Sequence, residues 1–127
     1  MLAKDYNHVF FFEVDRCAVS PTGDKLYIIN FNQDKLLTLA RDGSVLSIFM
    51  DPEFLCPTCV HVTPAGQVLV CGQIYNTIVQ IDSKGSKKLA TLATKMDSLR
   101  SVCYNSNTDS IIVGMDNNTI ILVYKVK

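Results

Sequence analysis

Short apolar runs separated by regularly placed turn signals occupy this chain from Cys17 to Tyr124. The stretch Cys59–Leu92 shows the plan most clearly. Four β-like runs are divided by Thr63-Pro64-Ala65-Gly66, by Tyr75-Asn76 and by Asp82-Ser83-Lys84-Gly85. The runs are rich in Val, Ile and Thr and too short for an amphipathic helix. Only Lys87–Met96 competes as a helix, and there Thr91, Thr94 and the preceding Gly85 favour a strand.

The same plan precedes this stretch. Cys17–Ser20, Lys25–Asn30, Lys35–Leu39 and Ser44–Phe49 are predicted strands. Between them lie turns at Ser20–Asp24 and Asn32–Asp34 and a tight hairpin at Arg41-Asp42-Gly43. A truncated copy follows. Ser101–Tyr104, Ser110–Gly114 and Thr119–Tyr124 are predicted strands, with turns at Asn105–Asp109 and Asp116–Asn118, and no fourth strand. The pairs Asp34/Asn76, Gly43/Gly85, Gly72/Gly114, Asn76/Asn118 and Thr77/Thr119 are each 42 residues apart, and Pro21/Pro64 are 43 apart. Asp51–Pro57 and Thr94–Ser98 read as connectors, because the two prolines of the first cannot continue a central strand.

A period near 42 residues with four short antiparallel strands is the mark of a β-propeller blade. One such sheet covers its apolar faces only by stacking on neighbours. The expected fold is therefore all-β: a single half-propeller domain over residues 1–127, with blades at 17–49, 59–92 and 99–125. After a loose lead-in at 1–7, Val9–Val14 is a spare β-prone run at the front of the chain, and the third unit lacks an outer strand. The expectation is that 9–14 is a closing strand. Each such strand would complete the partner's third blade, so that two chains close a six-bladed ring as a homodimer. The competing reading is one half of a longer propeller chain.

Tryptophan is absent, which removes the Trp-Asp signature of WD40 repeats, and the Gly-Gly pair of kelch repeats is missing. The blade layout instead resembles NHL repeats, which form six-bladed propellers at the C-terminus of tripartite-motif proteins. The matching residues in the middle unit are Val60/Val62, Gly66, Leu69-Val70, Asn76, Ile78/Ile81 and Asp82…Gly85. Those in the first are Cys17/Val19, Gly23, Tyr27-Ile28, Asp34, Leu36/Leu39 and Asp42-Gly43. Those in the third are Val102/Tyr104, Ile111-Ile112, Asn118 and Ile120/Val123. The His-Arg that usually follows the Asn is absent from all three. The resemblance implies a non-enzymatic scaffold that binds a protein, or RNA, on one loop face. The alternative is a metal-dependent hydrolase of the six-bladed lactonase type.

Composition narrows this further. With 127 residues, 48% of them apolar, the chain can bury a real core. Lys plus Arg equals Asp plus Glu, so no global basic footprint for nucleic acid exists. No apolar run reaches the length of a membrane span. Five cysteines, an odd number, lie mostly in apolar runs, and the front of the chain has no secretory h-region. An intracellular, cytoplasmic protein is expected.

The candidate binding residues are Arg16, Arg41, Tyr75, Lys84, Lys87, Lys88 and Arg100. Backbone contacts to RNA need several cations together, and base stacking needs an exposed aromatic. Cys56-Pro57-Thr58-Cys59 has zinc or redox spacing. The chain offers no second such pair, and a strand, not a helix, follows. His61 sits on the strand expected to line the central channel, where a structural role is expected. Glu13, Asn30, Asn105 and Asp116 are the side chains a lactonase-type metal site would need, but their repeat positions do not coincide. No catalytic residue, metal or cofactor is expected.

Overall fold

The computed structural model describes residues 14–52, 54, 56–72, 76–93, 99–115 and 121–125. Among them there are strands and turns but no helix, and so none long and apolar enough to cross a membrane. β1 (Arg16–Val19), β2 (Lys25–Asn30), β3 (Gln33–Ala40) and β4 (Val45–Phe49) form the first sheet. β5 (Pro57–Val62), β6 (Val68–Gly72), β7 (Thr77–Ile81) and β8 (Lys88–Ala93) form the second. β9 (Leu99–Asn105), β10 (Ser110–Met115) and β11 (Leu122–Lys125) form the third. Every pairing is antiparallel between sequence neighbours, so each sheet is a meander.

One turn design closes four of these connections. The N–H of Gly23, Gly43, Gly66 and Gly85 donates to the carbonyl three residues back at 2.8–2.9 Å. Each of these glycines has φ between +73° and +90°, where a Cβ is disfavoured. In the third sheet Asp109 takes a positive φ of 52° instead, a conformation that Asp tolerates better than most residues.

The sheets stack in chain order. Tyr27, Ile29, Leu36 and Phe49 of the first meet Val68, Val70, Val79 and Ile81 of the second. Phe54, from the connector, is fully buried between them and packs edge-to-face on Phe49 with ring centroids 5.7 Å apart. Cys59, Leu69, Cys71 and Ile78, on the opposite face of the second sheet, meet Val102, Ile111 and Val113 of the third. Each sheet is thus covered by its neighbour, as the burial argument requires.

Several boundaries differ from the sequence reading. Pro57 does not end the connector but opens β5, opposite Gly72; as a strand's first residue it breaks no internal ladder. β3 starts at Gln33, because the preceding turn is tighter than Asn32–Asp34 implied. The third unit is offset by one residue. Val60 faces Val70 and Val102 faces Val113. The first members of those pairs are 42 apart and the second members 43. Gly72 therefore corresponds to Met115, opposite Leu99, and not to Gly114. The cause is the first turn of the third unit, where the chain from Tyr104 to Ile111 is one residue longer than from Val62 to Val68. Side chains alternate along a strand, so the slip decides which residues point inward. Ile111 and Val113 face the second sheet, and Ile112 faces away. The predicted closing strand 9–14 lies outside the described residues except for Val14, as do Asp116–Asn118 and the Thr94–Ser98 connector.

Candidate functional site

The first and third turns of each unit lie at one end of the sheets, the second turn and the connectors at the other. At the first end, a cleft opens between each pair of neighbouring sheets. Between the first and second sheets it measures about 230 Å³ and is lined by Ser20, Thr22, Asp24 and Tyr27 on one side and by Pro64, Ala65 and Ser83 on the other. Between the second and third it measures about 300 Å³, with Pro64, Ala65, Gln67 and Gln80 facing Tyr104, Asp109 and Ile111. The Pro64-Ala65 turn borders both.

Hydrogen bonds fix the walls. The buried Tyr27 ring extends its hydroxyl across the first cleft to donate to the Ser83 carbonyl at 2.5 Å. Burial, then the Asp24 and Asp82 carboxylates, push the Tyr27 phenol above its ordinary range, so it stays a donor. Asp24 accepts from Thr22 Oγ1 at 2.5 Å and Ser20 Oγ at 2.8 Å. These hydroxyls, with Lys25 nearby, hold its carboxyl well below the usual carboxylate range. In the second cleft Gln80 Nε2 donates to Gln67 Oε1, and the Tyr104 hydroxyl donates to Asp109 Oδ1.

His61 lies behind the second cleft. Its Nε2 accepts the Tyr104 backbone N–H at 3.3 Å, a bond between sheets that only the unprotonated nitrogen can make. Burial lowers its pKa, which favours the same neutral form. Cys59 and Cys71 face each other across β5 and β6, both buried. The hydrogen bond with Cys59, together with burial, keeps the Cys71 thiol protonated far above its ordinary range. The Cys56 backbone N–H donates to Asp34 Oδ1 at 3.0 Å, and its φ is +50°. Cys59 is thus engaged with Cys71, and all described cysteines are free thiols. No group of three or more metal-ligating side chains occurs among the described residues.

The candidate binding residues fall in three places. Arg41, Lys84 and Lys87 are exposed near the third turns of the first two units, at the cleft end. Lys88 makes an ion pair with Asp51 at 3.2 Å. Arg16, exposed at the start of β1, lies at the opposite end, where it lines a separate cleft of about 250 Å³ with Asp15, Phe31 and Thr58. Arg100 lies in β9, but its side chain, like the whole of Tyr75, is outside the described residues. Asn30 and Asn105 end strands at opposite ends of their sheets, and each caps its own turn, accepting from Asn32 N at 2.8 Å and Asn107 N at 3.0 Å. Glu13 and Asp116 are outside the described residues. Sequence reasoning missed Tyr27, Gln67, Gln80, Tyr104 and Asp109. The one available signal was a polar residue interrupting an apolar strand, as Gln80 does.

The fold defines an all-β protein of stacked antiparallel meanders. No protein-family model matches the sequence, and no curated protein sequence matches it. Among solved structures, the chain is similar to hydrazine synthase of Kuenenia stuttgartiensis, with TM-score 0.74 and 17% identity over 87% of this chain and 32% of that one. The likeness is one of fold, and this chain spans about a third of that neighbour's length.

Proposed function

We propose that this chain is a non-enzymatic propeller-type scaffold, similar to NHL domains, that grips an extended segment of a protein partner across its cleft end. One observation carries the reading: the Pro64-Ala65 turn is shared by two successive clefts. A segment crossing that turn meets two equivalent concavities, as recognition on a repeated surface requires. The polar groups around the clefts are tied to one another, which suits a preformed surface more than proton transfer. The exposed cations Arg41, Lys84 and Lys87 stand at the same end, alongside the Asp24 and Asp109 carboxylates of the cleft walls, and so offer a crossing segment groups of both signs.

A photoreactive residue in place of exposed Ala65 tests this, with Asn32, exposed at the opposite end, as the control position. The expected result is a protease-sensitive adduct at 65 that is lost on Lys84→Glu/Lys87→Glu and absent at 32. Adducts of equal yield at both positions, or nuclease-sensitive adducts at 65, would overturn the protein-partner reading.

A further inference from the structure

The two clefts are alike in shape but not in charge. The first contains its own cation. Lys25 lines it and pairs with Asp24 at 3.4 Å, and Asp24 also accepts from Thr22 and Ser20. Lys84, next in sequence to Ser83 of the opposite wall, adds a second cation beside it. The second cleft is lined by no lysine or arginine. Its one charged side chain is Asp109, exposed at the rim, whose carboxylate accepts only the Tyr104 hydroxyl among the described residues. His61, behind the cleft, adds no charge, since its Nε2 accepts a backbone N–H. Deeper in, Leu69 and Ile111 are buried and form an apolar floor, against which Tyr104 packs. Between floor and rim, the bond from Gln80 Nε2 to Gln67 Oε1 leaves Gln80 Oε1 and Gln67 Nε2 over. Acceptors therefore outnumber donors: the second Asp109 oxygen, the Tyr104 phenol oxygen and Gln80 Oε1 stand against the single Gln67 amide.

The geometry points to a lysine side chain of the bound segment as the occupant of the second cleft. Its straight stem covers Leu69, Ile111 and Pro64, and its ammonium, which has three donors and no acceptor, meets the acceptor-rich rim. At about 300 Å³ the cleft lies at the lower limit of small-molecule pockets, so it takes one long side chain. Arginine fits less well. Its planar fork seeks two parallel acceptors, and the Tyr104 hydroxyl already engages one oxygen of Asp109. The inference rests on the cleft reading for the segment that presents the lysine. It also sets that segment's register, with the basic residue on the third-sheet side of the Pro64-Ala65 turn.

Three blocked amino acids serve as probes: the Nα-acetyl methylamides of lysine, norleucine and glutamate. Each is titrated into the isotope-labelled chain and followed by NMR. The expected result with lysine is saturable movement of the Leu69, Gln80, Tyr104 and Ile111 amide signals, with a dissociation constant on the order of millimolar. Norleucine keeps the stem and loses the charge, so it should bind about three- to tenfold more weakly. Glutamate should not bind in the same range. Asp109→Asn keeps the shape, and Asn tolerates the positive φ of 52° found there. It should abolish the preference for lysine and leave norleucine unchanged. High salt should shrink the same preference on the unaltered chain, which serves if Asp109→Asn disturbs the turn. The proposal is overturned by equal binding of lysine and norleucine, by shifts confined to residues outside the cleft, or by no shift with any probe. A preference that survives Asp109→Asn or high salt also overturns it. The probes need no partner, so the two readings separate. Lysine binding without an adduct at Ala65 counts against the protein-partner reading alone, and an adduct there without lysine preference counts against this inference alone.

Discussion

The turn at Gly85 gives the sharpest test of how neighbouring sheets are locked. Its φ is +73°, and a Cβ added there falls 1.9 Å from Thr38 Oγ1 and 3.0 Å from Thr38 Cβ on the first sheet. The turn cannot retreat freely, because Ser47 Oγ donates to the Gly85 carbonyl at 3.0 Å. Gly85→Ala therefore meets two penalties. An L-residue in the left-handed region costs about 1–2 kcal/mol, and overpacking costs about 1–3 kcal/mol, giving roughly 2–5 kcal/mol in all. Gly43→Ala is the internal control. Its φ is +90°, but nothing lies within 4 Å of the added Cβ, so only the conformational cost of about 1–2 kcal/mol applies. Thr38→Ala removes Oγ1 and Cγ2, the atoms at 1.9 and 3.5 Å, so the Gly85→Ala/Thr38→Ala double variant should cost less than the sum of its parts by about 1–3 kcal/mol. Urea unfolding followed by far-UV circular dichroism, with the slope held constant across variants, measures each value. The reasoning is refuted if Gly85→Ala costs no more than Gly43→Ala, or if the double variant is additive.

Three further outcomes follow from the same packing. Phe54→Ala empties a fully buried site between two sheets and is expected to lower stability by about 3–5 kcal/mol; a loss below about 1 kcal/mol would show that Phe54 is not a core residue. Thr38→Val replaces a buried hydroxyl that has no hydrogen-bond partner among the described residues and is expected to raise the unfolding free energy by up to about 1 kcal/mol, read as a higher denaturation midpoint; a lowered midpoint contradicts it. His61 has a folded pKa below its ordinary value near 6.5 because of burial. The unfolded chain therefore takes up the proton first, and stability that is complete above about pH 6.5 declines as pH falls below it. His61→Gln should flatten that part of a melting-temperature profile, and an unchanged slope would exclude the residue as its source.

The meander of short antiparallel strands was legible because turn chemistry is local. Gly23, Gly43, Gly66 and Gly85 each announce a positive-φ position, and the apolar runs between them have strand length. The offset of the third unit was not legible. Asn105–Asp109 contains no glycine to mark the left-handed residue, so Gly114 offered a false anchor against Gly72. The pairing of Val102 with Val113 sets the register, and that pairing depends on long-range packing. The clefts were hidden for a related reason. Tyr27 and Tyr104 read as ordinary strand residues until the neighbouring sheet brings Ser83 opposite one and His61 beside the other. Lys88 illustrates the converse: within a cluster of basic residues, only the fold reveals that Asp51 engages it.

The contrast between the thiols gives the molecule its own clock for opening. Cys17 and Cys103 stand at the surface, whereas Cys59 and Cys71 are sealed where the second sheet meets the third. An alkylating reagent should consume the outer pair first and reach the inner pair only when those sheets part. With half-buried Cys56 replaced by serine, the slow phase times the parting of one defined seam, with no engineered cysteine needed.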